Sequence, residues 1–164
     1  MANTYTQIYI QVVFSVQGRQ NLISPQHREE LQKYISGIIR NQKHKTLAIN
    51  CMPDHLHVLI GLRPDAALSD LVRDIKACSS AFITDHKWIA GKFNWQEGFG
   101  GFSYSHSEVH RVIKYIFDQE SHHRVHTFNE EYVKFLHDFD ITHKEAYLFE
   151  RIDVYDAKEQ VRKP

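Results

Sequence analysis

Near the N-terminus, Ile8, Ile10, Val12, Phe14 and Val16 alternate with mostly polar residues. Side chains of a strand point to opposite faces in turn, so this period of two specifies a half-buried strand. Such a strand must pair, and the next segments say with what. The connection GRQNLI leads to Ser24-Pro25, an N-cap followed by proline at the first helical position. Leu31, Tyr34, Ile35, Ile38 and Ile39 then recur at helical spacing, predicting a helix over 25–41. The period returns to two in LAINCM (47–52) and HLHVLIGL (55–62), with Pro53-Asp54 between them as the turn of a hairpin.

After a loop at 65–68, Ser69 is placed to cap a second helix with Leu71, Val72, Ile75 and Phe82 on its apolar face. FNWQEGFGGFSYS (93–105) reads as short strand, glycine-rich turn, short strand. Ser105-His106-Ser107-Glu108 matches a capping box and opens a helix over 108–122, and a shorter helix follows near 129–137 before an acidic tail. The order β-α-β-β-α-β predicts an α+β fold of the ferredoxin-like, split βαβ kind. Its sheet is antiparallel, its helices pack on one face, and extra helices follow at the C-terminal end. We take 1–127 as the functional domain and 128–164 as its helical, acidic extension. The fold alone decides no function.

Composition excludes several classes. The 164 residues are ample for one core, and no apolar run nears the ~20 residues of a membrane helix. The first residues lack a basic leader region and alternate as a strand, so no signal peptide is expected. The two cysteines, Cys51 and Cys78, form no CxxC pair, which fits a reducing cytoplasm. Net charge is zero, but residues 1–127 carry 14 basic and 11 acidic side chains, and 128–164 carry 6 and 9. This mild asymmetry is weak support for a nucleic-acid partner.

The chemistry starts at MPDHLHVLI (52–60). His55 and His57, at i and i+2, project from one face of a strand while Leu56 and Val58 point to the other. Two imidazoles there are half of a metal site, or surface histidines on a solvated face. On the helix after 108, at about 100° per residue, Val109, Val112, Ile113, Ile116 and Phe117 form the core stripe. Tyr115 and Gln119 lie off it, stacked one turn apart, with Arg111 and His122 beside them. Packing does not explain that tyrosine, although a partly exposed surface tyrosine would look the same.

MPDHLHVLIGL, LSDLVRDIKACSS, FNWQEGFGGFSYS and VIKYIFDQESHH occur in this order over roughly residues 5–125, and FNEEYVKFLHDFDI extends the pattern. Together they resemble the HUH-type single-tyrosine transposases of small bacterial insertion sequences (the 200/605 type and their REP-associated relatives). The resemblance implies that His55 and His57 are the HUH metal pair, Tyr115 the nucleophile, and Gln119 the third metal ligand. It implies Mg²⁺ or Mn²⁺ as cofactor and single-stranded, hairpin-bearing DNA as partner, cut to leave a 5′-phosphotyrosine link. It also implies a homodimer in which the tyrosine helix of one subunit meets the histidine pair of the other. Many relatives carry histidine on the first strand where this chain has Gln11.

Arg73, Lys76, Trp95, Arg111 and Lys114 are candidate DNA contacts, with a solvated helix face as the plain alternative for the four cations. In GFGGFSY the aromatics are placed to stack on bases or to pack in the core. His122, His123 and His126 fit cations near a helix C-terminus better than a second metal site. Two other functions compete. One is a non-catalytic nucleic-acid-binding module of the same fold. The other is a zinc hydrolase, which lacks an acidic general base next to the histidine pair.

Overall fold

The structure, a computed structural model, describes residues 3–123 and 126–144. Four strands form one antiparallel sheet: β1 (Tyr9–Ser15), β2 (Lys45–Cys51), β3 (His55–Gly61) and β4 (Gly100–Tyr104), in the order β2-β3-β1-β4. Helices α1 (Pro25–Asn41) and α2 (Leu68–Asp85) complete the split βαβ unit. They pack on one sheet face, where Val12, Phe14, Val16, Leu56, Val58 and Ile60 meet Leu31, Ile35, Ile39, Leu71, Val72 and Ile75. This is the main core.

The added helices cover the other face. Helix α3 (Val109–Phe117) sets Val109, Val112 and Ile116 on Ala48 and Leu59. Helix α5 (Phe128–Asp138) sets Phe128, Tyr132 and Leu136 on Val13 and Phe102. Strand β1, expected to be half-buried, is therefore buried on both faces from Gln11 to Ser15. It is a central strand, and its polar side chains turn inward to partners on other elements, Gln11 to His57 and Tyr104 and Ser15 to Gln96.

Several local expectations change. Helix α2 starts at Leu68 with Ala67 at its N-cap, so Ser69 lies inside the first turn. The Ser24 N-cap and Pro25 stand as read, but the Ser24 hydroxyl pairs with His27 Nδ1 at 3.0 Å. At 105–108 there is a 3₁₀ turn and no capping box. Ser105 bonds the Ser107 hydroxyl (2.9 Å), and Arg111 takes the Glu108 carboxylate. The first strand of 93–105 shrinks to one bridge, Val16 to Trp95.

The helix expected over 108–122 breaks at Asp118 (φ −88°, ψ 16°) into α3 and a short α4 (Gln119–His123). At Gly100 the sheet edge and α5 approach so closely that a Cβ would stand 2.9 Å from the Phe102 and Tyr132 rings. That close approach seats α5 over the middle of the sheet. The acidic tail, from residue 145 on, lies outside the described residues. Among the described residues no helix is long and apolar enough to cross a membrane.

Candidate metal and nucleophile site

The alternation of β3 that sends Leu56 and Val58 into the main core sends His55 and His57 to the opposite face, under α4 and α5. They are not on a solvated face: His55 is 1% exposed and His57 0%. Asp54, in the hairpin turn, accepts a hydrogen bond from His55 Nδ1 at 2.6 Å. That fixes the tautomer, so Nε2 carries the lone pair. His55 Nε2 is buried without a hydrogen-bond partner.

His57 is set by a different chain of bonds. The Tyr104 hydroxyl donates to Gln11 Oε1 (2.9 Å), so the Gln11 amide presents its NH₂ to His57 Nδ1 (3.0 Å). His57 Nδ1 therefore accepts, and its Nε2–H donates to Glu131 Oε1 at 2.7 Å. Gln11 thus orients a ring of the pair.

Helix α3 brings the tyrosine. The Asn50 side chain donates to the Ile116 carbonyl (2.9 Å) and holds the end of α3 to β2. The Tyr115 ring lies edge-on to His57, centroids 5.9 Å apart, and its hydroxyl donates to Glu131 Oε2. At the Asp118 break, Gln119 turns inward and is fully buried. Its amide donates to the Tyr115 carbonyl (3.1 Å), and its Oε1 accepts from His123 Nε2 (3.0 Å). One donor atom from each of His55, His57, His123 and Glu131 falls within 4.8 Å of the others.

The four residues read as a site, His55, His57, Tyr115 and Gln119, therefore converge. They do so within one chain, because α3 lies on the sheet face that carries its own histidine pair.

His123 and Glu131 were missed. His123, which by sequence is a helix-end cation, joins the cluster from α4. Glu131 had a legible signal, since it falls inside the apolar stripe of Phe128, Tyr132, Phe135 and Leu136, where an acid is out of place.

Electrostatics follow from burial. Burial is the largest effect on His55 and, despite Asp54, brings it down to about 4. Burial likewise lowers His123. Burial raises Tyr115 far above the ordinary phenol, and the adjacent Glu131 carboxylate adds to this. Burial alone would raise Glu131, but His57 and the Tyr115 hydrogen bond outweigh it and hold the carboxyl below its usual range.

The two histidines stay neutral when folded but gain protons when unfolded. The contribution of His55 to stability is thus full above about pH 6.5 and is lost as the pH falls toward 4, and His123 acts in the same direction. We expect thermal melts from pH 7 to pH 4 to show a loss of about 3 kcal/mol from His55 alone. The loss should be shallower in His55→Asn. An equal loss in both proteins would contradict the assignment.

The candidate DNA contacts do not form one patch. Arg73 is exposed on α2 and paired with Asp70 and Asp74. Lys76 donates to the carbonyls of Gln96 (2.8 Å) and Gly98, and burial brings its ammonium down to about 8. Both line an open groove of about 1000 Å³ between α2 and residues 91–99. Gly98 turns there with φ +79°, a conformation that L side chains rarely adopt.

Trp95 is a core residue, 8% exposed, with Nε1 bonded to Ser79 (2.8 Å) and its ring edge-on to Phe14 and Phe93. Little of its surface is left for a base. Phe102 is core as well, and Phe99 packs against the main core. Arg111, paired with Glu108, and Lys114 are exposed on α3, beside Tyr115 and on the sheet face opposite α2.

The IS200-like transposase family profile matches residues 4–119. A Deinococcus radiodurans R1 protein assigned as a transposase is similar in fold: TM-score 0.58, 18% identity, covering 73% of this chain and 95% of that one. A REP-associated tyrosine transposase bound to a REP hairpin is similar too: TM-score 0.58, 19% identity, covering 93% and 98%. No curated protein matches. The family match takes in β1, the histidine pair and the whole of α3 through Gln119, and on that extent the chain belongs to the IS200-like transposase family.

Proposed function

We propose that this chain is a cytoplasmic enzyme that cuts and rejoins single-stranded, hairpin-flanked DNA with Tyr115 as nucleophile. The observation that carries this is the Tyr115 hydroxyl reaching the cluster that holds His55 and His57. The REP-associated relative, bound to a REP hairpin, supports the choice of substrate.

The residues fit a divalent cation. His55 Nε2 is an orphaned, buried lone pair aimed into the cluster, and Asp54 behind it is the kind of second partner metal-bound histidines have. His55, His57 once the proton on its Nε2 is displaced, and, after a turn of its amide away from His123, Gln119 would hold Mg²⁺ or Mn²⁺. Bound there, the cation would withdraw charge from a nonbridging phosphate oxygen and stabilise the crowded transition state.

The chain's own groups do the rest. The Tyr115 oxygen attacks phosphorus, the bond to the 3′-oxygen breaks, and a 5′-phosphotyrosine link and free 3′-hydroxyl result. Rejoining runs the same exchange backwards and needs no ATP, because the link keeps the phosphodiester energy. The phenol is held protonated by burial and by Glu131, so attack requires that proton to leave. The Glu131 carboxylate is where the hydroxyl already points. Arg111 and Lys114, next to Tyr115 on α3, would meet phosphates, and Arg73 and Lys76 would meet them at a second, separate surface.

The test is a denaturing gel of the protein incubated with labelled hairpin single strands from the DNA flanking its gene. A labelled band at protein mass with Mn²⁺, absent with EDTA, is expected. Binding on a native gel without any such band would make this a non-catalytic hairpin binder.

A further inference from the structure

The family match ends at residue 119, yet the cluster draws two members, His123 and Glu131, from beyond it. Glu131 is the anomaly. It is 8% exposed, and burying a carboxylate costs several kcal/mol unless specific partners offset it. Its partners are both functional candidates: Oε1 accepts from His57 Nε2 and Oε2 from the Tyr115 hydroxyl.

No salt bridge to Lys or Arg neutralises it among the described residues; its ion-pair contacts are with His57 and His123. Beside it sits His55 Nε2, a buried lone pair with nothing to bond. An anionic oxygen, an unsatisfied imidazole nitrogen and a second imidazole therefore face one small space. That space asks for positive charge.

Gln119 answers it poorly as it stands. Its Oε1 is taken by His123 and its amide by the Tyr115 carbonyl. A neutral amide also gives a hard cation less than a carboxylate does.

We propose that Glu131 is a direct ligand of the divalent cation in this site, joining His55 and His57 and supplying the anionic oxygen. This rests on the metal-dependent reading above. With Oε1 on the cation and Oε2 on the Tyr115 hydroxyl, one carboxylate would tie the nucleophile to the metal. The proton that His57 Nε2 now shares with Oε1 occupies the place of the cation's charge. The role belongs to α5, so the extension after residue 127 completes the site instead of merely covering it.

The test is Mn²⁺ binding to the full chain without DNA, read as loss of the free-ion paramagnetic resonance signal and as a rise in melting temperature. Wild type, E131Q, E131D, Q119A and H55A would be compared. We expect E131Q to bind at least tenfold more weakly, and H55A to lose binding. E131D, which keeps the charge but draws the oxygens back by one methylene, should also weaken. The melting shift reports on any variant that still unfolds cooperatively, so lower stability does not hide the answer.

E131Q binding within twofold of wild type, or more tightly, would overturn the ligand role while leaving the site intact. E131D equal to wild type would reduce Glu131 to a distant charge and overturn it as well. Wild type that binds no Mn²⁺, or H55A that binds as wild type does, would bring down the metal reading itself.

Discussion

Tyr115→Phe should lose all covalent DNA–protein product and keep its affinity for hairpin DNA within about twofold. The phenolic oxygen is the only atom removed, and it is the atom proposed to bond to phosphorus. The ring contacts that seat the side chain, edge-on to His57 and Phe135, survive in phenylalanine. The lost hydrogen bond to Glu131 costs on the order of 1 kcal/mol, because His57 still satisfies the other carboxylate oxygen. A small loss of stability thus accompanies a complete loss of chemistry. Labelled substrate on denaturing and native gels reads both. Undiminished covalent product would remove Tyr115 from the mechanism.

Removing either histidine is the second large effect, and the two differ in a way the hydrogen bonds dictate. Both His55→Ala and His57→Ala should lower metal-dependent cleavage at least 100-fold, about 3 kcal/mol or more of transition-state stabilisation. Their stabilities should part. His55 leaves behind only Asp54, which lies near Arg19 and is partly exposed. His57 leaves the buried Glu131 Oε1 without its hydrogen-bond donor, a loss of the kind that costs about 1–3 kcal/mol. His57→Ala should therefore melt well below His55→Ala at equal loss of activity. Equal melting temperatures would mean that the His57–Glu131 contact bears little of the fold's stability.

The order of strands and helices was legible because each element carries a clean period. Alternation in β1 and β3 and 3.6-residue spacing in α1 and α2 left little room for another topology. The histidine pair, Tyr115 and Gln119 were legible as types at spacings. What hid was their burial. The polar residues of β1, Gln11 and Ser15, look like a solvated face, because a polar cluster packed under helices has the same pattern as one facing water.

The Asp118 break was not legible, since the apolar stripe of α3 simply ends and nothing after it marks a turn. Trp95 is a candidate DNA contact by residue type, yet it stands against Phe14 and Phe93 in the core. Glu131 was open to a closer reading of the α5 stripe. Its meaning depended on knowing that α5 lies over β3, which is a matter of long-range packing.

The central claim is that the Tyr115 oxygen becomes bonded to DNA. Digesting the trapped complex with trypsin and nuclease and mapping the nucleotide adduct by mass spectrometry tests it most directly. The account predicts a single phosphotyrosyl adduct on the peptide carrying Tyr115, formed only with Mg²⁺ or Mn²⁺. An adduct on Tyr104, Tyr132 or any other residue would contradict it, as would strands cut in full with no adduct at all.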